Sequence, residues 1–174
     1  MYFRKFPKIE YDVKGDGVMR TMTDITRRAR LKQSTLLNRV NFDFYDIPDG
    51  ETPESLAAKY YNDPNLHWVI LLANDIKDVY ADWPMSVERF ETFVKSKYTD
   101  INGIHHYEVS QTSGDTTFKI EYPNESATTL PTGAVAVTNY EYEEAELEKK
   151  RRIRLVRPEF VSELRTEFQS VIGG

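Results

Sequence analysis

Tyr45-Asp46-Ile47-Pro48-Asp49-Gly50-Glu51-Thr52-Pro53-Glu54-Ser55-Leu56-Ala57-Ala58-Lys59-Tyr60, followed by the apolar run Leu66-His67-Trp68-Val69-Ile70-Leu71-Leu72-Ala73, decides the fold. Asp49-Gly50 marks a tight turn after an extended segment. Thr52-Pro53 pairs an N-cap with proline at the first helical position, and Asp63-Pro64 repeats that entry signal for a second helix. The predicted order is strand, turn, short helix, turn, second helix. The first helix places Leu56, Ala57 and Tyr60 on one side. The second carries two stripes, Leu66/Val69/Ile70/Ala73 and Trp68/Leu71/Leu72, at three-to-four spacing. A helix that is apolar on two sides has to be covered on both. One stripe can rest on the first helix and the Tyr45 strand, while the other needs a further part of the chain or a partner protein.

Outward from this helix the signals are weaker. Val40, Phe42 and Phe44 alternate with Asn41, Asp43 and Tyr45, which predicts the strand leading in. Residues 1–23 hold Phe3, Phe6, Ile9 and Tyr11 around a Gly15-Asp16-Gly17 turn without a sustained period, and read as an extended arm. Asp24 could cap a short helix reaching Leu37. On the other side, Ile76 to Ala81 offers a short strand. Trp83-Pro84-Met85-Ser86 then leads to a helix whose Val87, Phe90 and Val94 are expected to cover the second stripe; truncating Trp68 should then cost roughly 3–5 kcal/mol. Tyr107-Glu108-Val109 and Phe118-Lys119-Ile120-Glu121-Tyr122 predict a hairpin around Gly114, with Ala134 to Thr138 as another strand. The acidic run Glu141 to Glu148 and the basic run Lys149-Lys150-Arg151-Arg152 follow. Arg152-Ile153-Arg154-Leu155 alternates, and Arg157-Pro158 opens a final helix with the stripe Phe160, Val161, Leu164, Phe168 and Val171.

Composition bounds the function. With 174 residues the chain is long enough for a core, and 40% hydrophobic residues exclude a wholly disordered protein. Eleven Tyr and nine Phe are many for this length, and Tyr and Arg are residue types that anchor partner surfaces. The arm and tail supply such anchors at Tyr2, Phe3, Phe6, Tyr11, Arg151, Arg152, Arg154, Phe160 and Phe168. A net charge of −5 argues against a protein that coats nucleic acid. Absence of cysteine fits a reducing cytosol and excludes thiolate metal sites. No apolar run has the length of a membrane span or the form of a signal peptide, so no membrane association is expected.

Candidate chemistry is sparse. The basic run sits beside an equal acidic run, which favours local compensation or a charged protein contact over nucleic acid. His105-His106 should point to opposite faces of a strand and so should not chelate one metal together. Glu51 and Glu54 stand where a helix dipole explains them, and no nucleophile triad, phosphate loop or dinucleotide fingerprint is present. Neither enzyme, metal nor cofactor is expected.

Residues 45–60, with Leu66-His67-Trp68 and Leu71-Leu72-Ala73-Asn74, resemble the LysM module. Thr23-Asp24-Ile25, the run Trp68 to Asp75 with Trp83, and Glu148 to Leu155 resemble, more narrowly, the LysM-containing baseplate wedge subunit of contractile-tailed bacteriophages. The resemblance implies an α+β fold: a LysM-like β-α-α-β core with an N-terminal arm, an inserted β-hairpin and a C-terminal strand-helix extension. The corresponding divisions are 1–39, 40–98, 99–139 and 140–174. In LysM modules that bind N-acetylglucosamine polymers, the groove maps to Asp49, Gly50, Glu51 and Thr52 and to Asn74, Asp75 and Ile76. Pro53 beside the turn, an altered closing strand and the Trp83 segment depart from that pattern. The phage resemblance implies a protein-contact role instead. The expected function is a structural subunit of a phage tail baseplate wedge, made in the host cytoplasm, that binds other wedge proteins and joins wedges around the tail hub. The rival is a peptidoglycan-binding module; a wall-degrading enzyme ranks last.

Overall fold

Strands and helices follow in a mixed α+β order: β1 (Lys8–Tyr11), β2 (Arg20–Thr23), β3 (Phe42–Asp46), α1 (Pro53–Tyr61), α2 (His67–Ala73), α3 (Val79–Asp82), α4 (Val87–Lys97), β4 (Ile104–Ser110), β5 (Lys119–Pro123), β6 (Val135–Thr138), α5 (Asn139–Arg151), β7 (Arg152–Val156) and α6 (Val161–Gly173). They come from a computed structural model that describes residues 6–27, 41–111, 119–124 and 129–173. The chain forms two compact units, the first from Met1–Trp83 with Arg152–Gly174, the second from Pro84–Arg151.

In the first unit, Thr52 begins α1 through a reciprocal cap. Its hydroxyl accepts from the Ser55 N–H at 3.2 Å, and the Ser55 hydroxyl oxygen accepts from the Thr52 N–H at 3.0 Å. Pro53 at the first helical position needs no partner for an N–H it lacks. Asn62 ends the helix in the left-handed region, and a 3₁₀ turn at Pro64–Leu66 leads into α2.

Helix α2 is covered on both sides, as its two stripes require. Leu66, Val69 and Ala73 pack with Phe42, Val156, Val161 and Leu164. Ile70 packs with Leu56, Ala57, Ile153 and Leu155. The Trp68 and Leu72 side rests against Phe6, Phe168 and Ile172, with the Trp68 and Phe168 rings 4.7 Å apart. The cover therefore comes from α6 and the N-terminal arm. Helix α4, expected there, places Phe90 and Val94 against Leu147 of α5 in the second unit. The buried positions of α6 are Val161, Leu164, Phe168 and Ile172, while Val171 is exposed, because a 3.6-residue period carries Phe168 to Ile172.

The strand that closes the sheet also differs from expectation. Residues 76–81 do not pair with β3. Asp78 accepts from the Tyr80 N–H, and the Asp82 carboxylate accepts from the N–H groups of Lys77 and Asp78, which turns this segment into the short helix α3. The antiparallel partner of β3 is β7, with Phe44 opposite Arg154 and Tyr45 opposite Ile153. Ile153 and Leu155 face the helices and are buried. Strand, helix, helix and strand are thus completed across the whole of residues 84–151, and the two compact units divide after Trp83 and Arg151.

The arm is a hairpin of β1 and β2. At its turn the Asp12 carboxylate accepts from four successive backbone N–H groups, Lys14, Gly15, Asp16 and Gly17, at 2.7–3.2 Å, with both glycines at positive φ. The helix expected from Asp24 to Leu37 lies mainly outside the described residues.

The second unit is a three-stranded antiparallel sheet in the order β5-β4-β6 with α4 and α5. Tyr107 pairs with Tyr122 and Val109 with Ile120, as the hairpin expectation had it; Gly114 itself lies outside the described residues. Helix α5 occupies the acidic run, which sequence reasoning left without a helix. Thr138 caps it: its hydroxyl accepts from the Glu141 N–H and its own N–H donates to the Glu141 carboxylate at 2.8 Å. That Thr-x-x-Glu spacing is the legible signal that was missed.

Candidate partner-contact surfaces

The turn residues Asp49 to Thr52 connect β3 to α1, and the residues Asn74 to Ile76 follow α2. Gly50 has φ +72°, with open space where a side chain would be. Glu51 is held from three sides. Its carboxylate accepts from the Tyr45 hydroxyl at 2.9 Å and lies 3.5 Å from the Lys59 ammonium, and its carbonyl accepts from the Trp83 indole N–H at 2.8 Å. Trp83 is buried in the same apolar cluster as Ile47 and Leu56, against which Ile76 also packs. Asn74 turns inward, its amide donating to the carbonyls of Ile70 and Arg154 and its oxygen accepting from the Arg154 N–H. Asp75 is exposed at positive φ. Of the seven groove residues, Glu51, Thr52, Asn74 and Ile76 are engaged in holding the fold.

The aromatic and basic anchors divide in the same way. Tyr2 and Phe3 lie outside the described residues. Phe6 and Phe168 are each only 6% exposed, with rings 6.2 Å apart, so both are core residues and not surface anchors; the uncovered stripe of α2 recruits them. Tyr11 is 58% exposed on the hairpin. Beside it the hairpin and its turn expose Ile9, Val13, Val18, Met19 and Met22. Phe160 is half-buried against the cluster of Phe42 and Val156, at a small cleft whose rim includes Glu163 and Glu167.

The guanidinium of Arg152 lies 5.4 Å above the Phe44 ring, and that of Arg154 lies 5.6 Å above Phe42. Phe44 is 59% exposed. Arg154 also donates to the Ala73 carbonyl at 3.2 Å. Arg151 pairs with Glu148 at 2.7 Å and Lys149 with Glu146, so these two members of the basic run are compensated along α5, while Arg152 already belongs to β7.

Near β6 and α5 the histidine pair departs from the simple strand argument. A register shift between Ile104 and His106 bulges β4, and the two Nδ1 atoms come within 2.9 Å of each other. His105 stacks on Tyr142 at 3.8 Å, and His106 is buried. The pair thus faces one region, yet among the described residues no group of three potential metal-ligating side chains forms. Glu143, also buried, accepts from Lys97 at 2.5 Å and from the Tyr98 hydroxyl at 2.7 Å. Among the described residues no helix is long and apolar enough to cross a membrane.

Comparison with known proteins gives this surface a setting. The chain is 33% identical over 106 residues to baseplate wedge protein gp53 of Enterobacteria phage T4, a match that covers 59% of this chain and 54% of that protein. It thus spans about half the length of that curated relative. The family model described as base plate wedge protein 53 matches residues 1–130, about three quarters of the chain, and the chain accordingly belongs to this family of structural proteins of the bacteriophage tail baseplate.

Proposed function

We propose that the chain is a structural wedge subunit whose β3-α1-α2-β7 core is a LysM-like module used for protein contact, and that it binds other wedge proteins and helps neighbouring wedges join around the tail hub. The observation that carries this reading is the β1–β2 hairpin. All four residues of β1 are exposed, and Ile9, Tyr11 and Met22 stand uncovered on a two-stranded ribbon. Such a ribbon has little stability of its own in water and gains by docking. The role is structural, without a catalytic step.

The burial of Trp83 and its bond to the Glu51 carbonyl support protein contact over sugar binding, since they engage one wall of the groove internally. Asn74, bonded to three backbone groups, has little capacity left for a glycan hydroxyl. A tagged chain recovered from phage-infected cells should co-purify with tail proteins in fixed stoichiometry and should not pellet with peptidoglycan. Pelleting with cell wall, without tail proteins, would overturn the proposal and return attention to Gly50 and Thr52.

A further inference from the structure

The hydrogen-bond pattern of the β3–β7 pair leaves one edge open. In an antiparallel pair, residues alternate between those that bond across the pair and those whose N–H and C=O point outward. Both backbone groups of Arg154 are taken by the Asn74 side chain, at 2.9 and 2.8 Å, so Arg154 points away from β3. Its register partner Phe44 must then point away from β7. The bond from the Arg157 N–H to the Asn41 carbonyl at 3.0 Å has the phase this alternation demands. Asp43 and Tyr45 therefore bond inward, and Phe44 and Asp46 present N–H and C=O outward.

The two edges of this sheet are unequal. Asn74 closes β7 by imitating a strand. Among the described residues β3 has no second neighbour, because its sheet contains two strands. Of the usual protections of an exposed edge, β3 has no lysine, proline or bulge; its charges are Asp43, paired with Arg157, and the exposed Asp46. The side chain beside the open edge is the exposed Phe44 with Arg152 above it, and no carboxylate pairs with Arg152 among the described residues.

We propose that the outer edge of β3 accepts an added strand, an extended segment of another baseplate chain that carries acidic side chains on the Phe44 face. Main-chain bonds to Phe44 and Asp46 supply the docking, and a carboxylate two residues from an apolar contact meets Arg152 over the Phe44 ring. This inference rests on the wedge reading above, and it names the mode of contact and the chemistry of the partner.

Amide hydrogen exchange, resolved to single residues, compares the free chain with the same chain in purified phage tails. In the free chain the Phe44 and Asp46 amides exchange fast while those of Asp43 and Tyr45 are protected. In tails, exchange at Phe44 and Asp46 slows by about tenfold or more. If the chain is present in tails but these amides exchange as in the free chain, strand addition is overturned and the wedge reading stands. If the chain is absent from tails, both fall.

A substitution separates backbone from side chain. Phe44→Pro removes the outward N–H together with the ring and is compatible with an edge strand, so the chain still folds. Phe44→Ala keeps the N–H. Exclusion of Phe44→Pro from tails, with partial entry of Phe44→Ala and weakened entry of Arg152→Glu, is the expected result. Entry of a folded Phe44→Pro chain at the wild-type level overturns the proposal.

Discussion

The Asn74 side chain bonds both the N–H and the C=O of Arg154, eighty residues further along the chain, and ties the end of α2 to the strand that closes the sheet. Loss of that side chain leaves two half-buried backbone groups and the Ile70 carbonyl to find water. Asn74→Ala should therefore cost about 2 kcal/mol, within the range for unsatisfied buried polar groups. Asn74→Asp should not restore it, since the carboxylate lacks the N–H donors that Ile70 and Arg154 require. Urea unfolding followed by tryptophan fluorescence reads this directly, because both tryptophans of the chain, Trp68 and Trp83, belong to the first unit.

Trp83 provides a separate test of how the turn after β3 is held. Trp83→Phe keeps an aromatic ring in the cluster but removes the donor to the Glu51 carbonyl, and should cost about 1 kcal/mol. Trp83→Ala, which also opens a cavity, should cost about 3–5 kcal/mol. Equal losses for the two variants would show that the indole N–H, and not the packing, holds the segment.

The identity of the closing strand can be tested by a pair of truncations. Leu155 is fully buried on β7, whereas Val79 of α3 is 37% exposed. Leu155→Ala should cost about 3–4 kcal/mol, and Val79→Ala should stay within about 0.5 kcal/mol. If β3 were instead closed by residues 76–81, the order of the two effects would reverse.

Those same residues show which parts of the fold were legible in sequence. The turn at Asp49-Gly50, the cap at Thr52-Pro53 and the two stripes of α2 are local signals, and the structure contains each of them. The alternation of Arg152 to Leu155 identified a strand and its buried face, but periodicity says nothing about which strand lies opposite. Proximity in sequence therefore favoured Ile76 to Ala81, and the pairing across residues 84–151 was missed. For the same reason, the cover for Trp68 was assigned to the next helix instead of α6. Helix α5 was hidden because its buried positions, Glu143 and Leu147, include only one apolar residue. At the surface, the sequence marked Phe6 and Phe168 as anchors by residue type alone. Only the three-dimensional arrangement shows that they are consumed by the core, while Phe44 and Arg152 meet at an open edge.

Stability of the second unit should fall in two steps as pH is lowered. Burial pushes the His105 imidazole below its usual value, and the neighbouring His106 adds to this. The unfolded chain therefore takes up a proton near the ordinary histidine pKa of 6.5 while the folded unit does not, and stability is lost as pH falls from there toward the folded value. Glu143 follows at lower pH. Burial opposes its ionisation, but hydrogen bonds from Lys97 and Tyr98, with the Lys97 charge, outweigh that and hold the carboxyl below the ordinary value of 4.5. Its contribution is present above that value and is lost as pH falls through the folded pKa. Amide exchange of β4 and α5 follows this unit without interference from the tryptophan-bearing one. Between about pH 8 and about pH 3 the wild-type chain should lose protection in both windows. His105→Gln should flatten the upper step alone, and Glu143→Gln the lower step alone, at the expense of a less stable unit near neutrality. A single step, unchanged by His105→Gln, would show that His105 makes no contribution to the balance.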